Sequence, residues 1–210
     1  MAHVTIPPAC ELTRYRGIAV ADGGTPKFMS LVEKALETIG SRPIGAGLLR
    51  SIANDGRHDQ YKVVICDARV SDVPTHTEPV DDGHYTIRGV GSSARIYWHP
   101  FSAWHPDRRM AEVPGFLVLA HELIHARRML LGIECADDWT SEIHTIGLIV
   151  HGGPDGIDPN DRRGFGSITE NDIRAEHGLP LRTRWARGGL SLEGEPIQPE
   201  ERSWYDASDV

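Results

Sequence analysis

Five consecutive residues carry the most legible chemistry in this 210-residue chain: His121-Glu122-Leu123-Ile124-His125. On a helix, positions i and i+4 stand one above the other on the same face. His121 and His125 can therefore aim their imidazole nitrogens at one zinc ion, at ~2.0–2.1 Å. Glu122 projects about a third of a turn away, close enough to a water on the ion to act as base without becoming a ligand. That division of labour suits zinc-assisted hydrolysis of a peptide bond. The ion makes the water acidic and polarises the carbonyl, and the glutamate moves the proton to the leaving amine.

A catalytic zinc needs a third protein ligand and one open position. No His-x-x-Gly-x-x-His run follows the motif, and no Cys-x-x-Cys pair is present to build a thiolate cage. The third ligand is expected from the next helix, and Glu142, 17 residues after His125, is the first choice. His144, Asp138 and Glu134 compete with it. Glu142 and His144 cannot both face the ion, because i and i+2 point apart on a helix.

A metal-bound histidine usually donates its other N–H to a carboxylate or carbonyl. Glu170, Asp138 and Asp172 are the acidic candidates for that support. Arg182 and Tyr205 are candidates for steadying the developing oxyanion. The segment Ala94 to His99 has strand character, with Arg95, Ile96 and Tyr97 at its centre. As an exposed edge beside the active helix it would bind a substrate backbone by strand addition. As a central strand it would place Tyr97 in the core.

These residues need elements to position them. Phe28, Leu31, Val32, Ala35, Leu36 and Ile39 follow helical spacing up to Gly40, and a second short helix is expected over Ile44 to Ala53. Strands are expected at Ile18–Val20, at Tyr61–Cys66 and at Ala94–His99, the last stopped by Pro100. Residues 67–92 read as loops or a weak hairpin. The motif lies in the most helical stretch, Pro114 to Leu131, closed by Gly132. A further helix is expected over Trp139 to Val150 with Asp137 or Asp138 as its cap, then a loop over Gly152 to Gly166. A short helix follows, capped by Thr169 and ending near His177. This is an α+β pattern with a small mixed sheet and no internal repeat. The expected organisation is a flexible segment over residues 1–25, one domain over 26–186 and a mobile tail over 187–210.

Composition narrows the function classes. Residues are 40% hydrophobic and 25% charged, the profile of a folded globular chain, and the formal net charge is -8. No basic stripe is present, so nucleic-acid binding is not expected. No apolar run is long enough to span a bilayer, and the start shows no ordinary secretory signal. Three widely spaced cysteines, Cys10, Cys66 and Cys135, suit free thiols better than a disulfide framework. A monomer is the default expectation.

Several blocks in fixed order give the chain a family likeness. They are Val32 to Ile39 with Ser41-Arg42-Pro43-Ile44-Gly45, then Gly91-Ser92-Ser93-Ala94-Arg95-Ile96-Tyr97-Trp98, then Leu119 to Ala126. Glu142 with Thr145-Ile146-Gly147-Leu148 follows, and then Ile168-Thr169-Glu170-Asn171 with Glu176 and Gly178-Leu179-Pro180. Together they resemble the NleD-like type III effector metallopeptidases of plant and animal pathogens. The resemblance implies a single zincin-like domain with one catalytic zinc, held at the positions of His121, His125 and Glu142, with Glu122 as the catalytic glutamate. It further implies delivery into host cells without a signal peptide, by type III secretion, and cleavage of host signalling proteins such as MAP kinases. One departure stands out: some related zincins carry a tyrosine three residues after an arginine, whereas Arg182 is followed by Trp185. Two alternatives remain open at this level: a metallopeptidase toxin with bacterial targets, and a catalytically silent, zinc-stabilised binding module.

Overall fold

The computed structural model describes residues 9–11, 14–21, 25–54, 63–80, 86, 89–101, 113–135, 138–148 and 168–182. The first strands are β1 (Ala9–Glu11) and β2 (Ile18–Ala21), followed by helices α1 (Pro26–Gly40) and α2 (Pro43–Asn54). Thr25 begins α1 by accepting a hydrogen bond from the Phe28 amide, and Pro26 occupies a first-turn position that needs no donor. Next come β3 (Val63–Asp67), the single turn α3 (Ala68–Ser71), β4 (His76–Pro79) and β5 (Ala94–Trp98). Helices α4 (Gly115–Leu131), α5 (Asp138–Ile146) and α6 (Glu170–Glu176) complete the order.

The sheet runs β1-β2-β3-β5-β4. Its inner pairs, β2/β3 and β3/β5, are parallel, and its outer pairs, β1/β2 and β5/β4, are antiparallel. The expected α+β class with a small mixed sheet is what the chain adopts. One apolar core joins Ile18 and Val20, Phe28 to Ile39, Leu48 to Ile52, Val63 and Ile65, Ile96 and Trp98, and Leu117 to Ile124. Helix α4 is its centrepiece, because every residue from Leu119 to Ala126 is buried. The motif therefore sits on a helix packed on several sides, which fixes its rotation.

The expected strand at Ile18–Val20 and the helices starting near residues 27, 44, 115 and 170 are present within a residue or two. Four expectations change. The flexible segment expected over residues 1–25 gives way at Ala9–Glu11 and Ile18–Ala21, which are sheet strands. Residues 67–92, expected as loops or a weak hairpin, hold the turn α3 and one strand, β4, which pairs with β5 beyond the segment. Strand β4 reads His-Thr-Glu-Pro and is half-buried at all four positions, so an edge strand of this kind leaves no apolar alternation to read. Helix α5 stops at Ile146 rather than Val150 because Gly147 takes φ +88°, a left-handed turn that ends the helix. Asp138 lies within the helix rather than capping it; the other expected cap, Asp137, lies outside the described residues. At the end of α4, by contrast, Gly132 closes the helix as expected, at φ +70°, against the backbone of Gly89 and Gly91.

Helix α6 is short but doubly fastened. Thr169 and Asp172 form a reciprocal capping box at its start. At its far end the Glu176 carboxylate accepts from the amides of Ile44 and Gly45, both at 2.7 Å. A carboxylate at the start of α2 satisfies two orphan donors and complements the helix dipole. Glu176→Ala is expected to cost about 2 kcal/mol, and Glu176→Gln less because its amide oxygen keeps one bond. Urea unfolding checks this, and a loss below ~0.5 kcal/mol in Glu176→Ala would show the tie to be idle.

Candidate metal centre

Helix α4 stacks His121 and His125 with ring centroids 4.9 Å apart and Nε2 atoms 3.2 Å apart. Helix α5 brings Glu142 against both: Oε1 lies 3.2 Å from His125 Nε2, and Oε2 lies 3.4 Å from His121 Nε2. The three residues can each offer one ligand atom, all within 4.8 Å of one another, so together they could hold a metal ion. Placement of α5 rests on Arg128, buried at 4% exposure, whose Nη1 donates to the Ser141 carbonyl at 3.1 Å and to Thr145 Oγ1 at 2.8 Å.

Proton accounting decides what those nitrogens offer. His121 Nδ1 lies 2.8 Å from Glu170 Oε2. Glu170 is a buried carboxylate that also accepts from Arg174 Nε at 2.7 Å and Arg182 Nη1 at 3.1 Å. Burial alone would raise its pKa, but Arg182, His121 and Arg174 hold it well below the usual carboxylate range. It is an acceptor only, so Nδ1 of His121 carries the proton and Nε2 the lone pair. Behind His125, Ser141 Oγ donates its one proton to Glu134 Oε1 at 2.7 Å. The 3.0 Å contact between Ser141 Oγ and His125 Nδ1 must then be donated by the histidine. Glu134 Oε2, 3.5 Å from the same Nδ1, reinforces that choice.

Two imidazole lone pairs and a carboxylate thus converge with no donor among them. Without a cation, protons take that place. Burial pushes the His121 imidazole down, but Glu142 and Glu170 outweigh it and raise it to about 10. His125 is likewise pushed down by burial and raised to about 9, chiefly by its contacts with Glu134 and Glu142. Burial opposes the charge on Glu142, yet His121 and His125 hold its carboxyl far below the usual range.

Glu122, next to His121 and buried at 8% exposure, accepts a hydrogen bond at Oε2 from Thr77 Oγ1 of β4 at 2.6 Å. Its side chain is aimed by the sheet and not by α4 alone.

The remaining sequence-selected residues sort by position. Glu170 stands directly behind His121, as expected of a supporting acid. Arg182 is buried and joined to Glu170 through Nη1, with its backbone tied to Asn171, so that contact places it behind His121. Glu134 meets His125 from the Nδ1 side, opposite the nitrogen that faces Glu142, and stands outside the group that could hold an ion. His144 sits 3.5 Å from Cys135 Sγ and is outside the ligand group. Asp138 is exposed, and Asp172 is spent on the capping box. Tyr205 lies outside the described residues, as does Trp185. The reading of Arg95, Ile96 and Tyr97 as a substrate-binding edge is corrected: β5 is paired on both sides, by β3 and β4, so it has no free backbone edge to offer. Ile96 is in the core, Arg95 pairs with Glu78 at 2.9 Å, and Tyr97 is half-buried and stacked on His76 at 4.9 Å. The sheet edge next to α4 is β4.

Sequence reasoning did not find Thr77, Ser141 or Arg174, nor the part Glu134 plays. Ser141 and Arg174 carry a faint signal, one residue before Glu142 and four after Glu170. Thr77 carries none, because its strand was itself illegible.

None of the curated proteins matches the chain. Among solved structures it is similar to the Clostridium botulinum neurotoxin serotype F light chain, with TM-score 0.41 and 15% identity over 56% of this chain and 47% of that one. The catalytic domain of the same serotype gives 0.43 and 14%, over 67% and 54%. The botulinum neurotoxin type G light chain gives 0.47 and 15%, over 91% and 67%. The chain therefore spans about half the length of the two serotype F structures. Residues 16–185, a span that holds every residue of the site described above, match the Peptidase M91 family, described as effector proteins. The chain belongs to the Peptidase M91 family of effector proteins, which bears out the effector-peptidase part of the expected resemblance.

Proposed function

We propose that this chain is a zinc-dependent endopeptidase with a single zincin-like domain, acting inside host cells on signalling proteins of the MAP-kinase class. The observation that carries the reading is the convergence of two imidazole lone pairs and one carboxylate beside Glu122. The donor set fits zinc: donors ~2.0–2.1 Å from a tetrahedral ion stand about 3.3 Å apart, and the two Nε2 atoms are 3.2 Å apart. Glu142, which meets each imidazole with a different oxygen, completes an N, N, O set of the kind catalytic zinc accepts. His121, His125 and Glu142 would hold the ion. When bound, it supplies Lewis acidity that polarises the scissile carbonyl and acidifies a water near neutral pH.

The chain's own residues do the rest. Glu122 takes the proton from the attacking water and passes it to the leaving amine. Glu170, kept ionised by Arg174 and Arg182, holds His121 in the tautomer that presents Nε2, and Ser141 with Glu134 does the same for His125. Strand β4, the outer edge of the sheet among the described residues, would offer backbone groups to an extended substrate segment, replacing the role first expected of β5. Host kinases as substrates and type III delivery are carried over from the family resemblance, and no helix among the described residues is long and apolar enough to cross a membrane. A monomer suffices for this chemistry, because every group named comes from one chain.

Zinc-loaded protein incubated with host-cell extract is expected to generate new N-termini in MAP-kinase-class proteins. Glu122→Gln should keep its zinc and lose at least ~100-fold in rate, the usual worth of a positioned base. Cleavage confined to bacterial extract would contradict the host assignment, and full activity in Glu122→Gln would contradict the mechanism.

The raised imidazoles give a pH signature with a definite sign. At pH 7 the metal-free pair retains protons, since His121 and His125 are raised to about 10 and about 9. Zinc needs those lone pairs, so its uptake must expel protons, and its apparent affinity should rise with pH until the raised values are passed. Calorimetry at pH 7 in buffers of different ionisation enthalpy should show at least one proton released per zinc. An affinity that levels off near pH 6.5, as for free imidazole, would contradict the coupling to Glu142.

A further inference from the structure

We propose that Thr77 is a positioning residue for Glu122, fixing its carboxylate through Oε2 and leaving Oε1 to handle the proton. The inference rests on the endopeptidase reading above.

Thr77 pairs across the sheet with Ile96, which is fully buried. Cross-strand partners share a face, so Thr77 points inward toward α4 at a place where an apolar residue would be ordinary. A hydroxyl there needs a partner. It finds two acceptors on one residue: Glu122 Oε2 at 2.6 Å and the Glu122 carbonyl oxygen at 3.1 Å. The hydroxyl has one proton, and the shorter contact, to the carboxylate oxygen, takes it. The carbonyl is in any case the acceptor of its own helical turn.

The consequence is mechanical. A glutamate side chain turns about several bonds, whereas the Thr77 hydroxyl sits one bond beyond a Cβ fixed by the paired strand. The strand therefore lends its rigidity to the carboxylate. Among the described residues Oε1 takes no hydrogen bond, so the two oxygens are made unequal: one is held, the other works. Holding a reacting group to within a fraction of an ångström is what separates a present site from a productive one. Thr77 itself touches no reacting atom.

The test uses full-length zinc-loaded wild type, Thr77→Val and Thr77→Ser, with acetohydroxamate as probe, because a hydroxamate on zinc donates a hydrogen bond to a carboxylate placed beside the ion. Zinc content and hydroxamate affinity are measured on each. All three should carry equal zinc. Thr77→Val, which keeps the shape but not the hydroxyl, should bind the probe about tenfold more weakly. Thr77→Ser should recover affinity to within about twofold of wild type. Unchanged affinity in Thr77→Val overturns the positioning role, and so does a Thr77→Ser variant as weak as Thr77→Val. Zinc lost from Thr77→Val alone would also overturn it, by making Thr77 a support of the metal ligands. Wild type that takes up no zinc would overturn the endopeptidase reading itself and the inference with it.

Discussion

Each of the two histidines on α4 spends its Nδ1 proton away from its neighbour, and the rest of the site follows from that. Because Glu170 claims one proton and Ser141 the other, both Nε2 lone pairs face the same point, where Glu142 adds a third acceptor. Three acceptors in contact repel unless something positive lies between them. The protein has built a deficit of positive charge on purpose, and a divalent ion or two protons must fill it. The proposed hydrolysis, metal uptake and pH response would all follow from that single deficit.

Keeping the deficit requires charged groups where water is scarce. Buried ion pairs are poor stabilisers, since desolvation offsets much of their attraction. Yet Glu170, Arg174 and Arg182 are all nearly inaccessible, and so is Arg128. Their value lies in orientation. Arg174 and Arg182 leave Glu170 no choice but to accept from His121, and Arg128 clamps α5 so that Glu142 reaches α4. Among the described residues Glu134 Oε2 is buried without a hydrogen bond of its own, 3.5 Å from His125 Nδ1, a small residual cost of holding that ring.

How much of this could be read from the residues alone depends on distance along the chain. His121, Glu122 and His125 were legible because four residues on a helix is a fixed geometry. Glu142 is only a first choice from its place on the next helix, and it takes the packing of α5 to set it apart from His144, Asp138 and Glu134. Glu170 was one of three acids available to support a histidine, and nothing short of the fold separated it from Asp172. Thr77 was beyond reach: its strand is four polar-looking residues on a sheet edge, recognisable only by their pairing with β5. The same blindness put the substrate edge on β5, whose β-branched and aromatic character marks an interior strand as readily as an exposed one. Local periodicity reports which residues are neighbours within an element, while the supporting shell is assembled between elements.

Which atoms hold the ion decides the chemistry of this site. X-ray absorption at the zinc edge, on protein loaded with one equivalent, reads those atoms directly. Two imidazole nitrogens with light oxygen donors at ~2.0–2.2 Å, and no sulfur, is the spectrum expected here. A sulfur shell at ~2.3 Å, which would implicate Cys135, or a third imidazole from His144, would contradict the assignment of Glu142 and the site built around it.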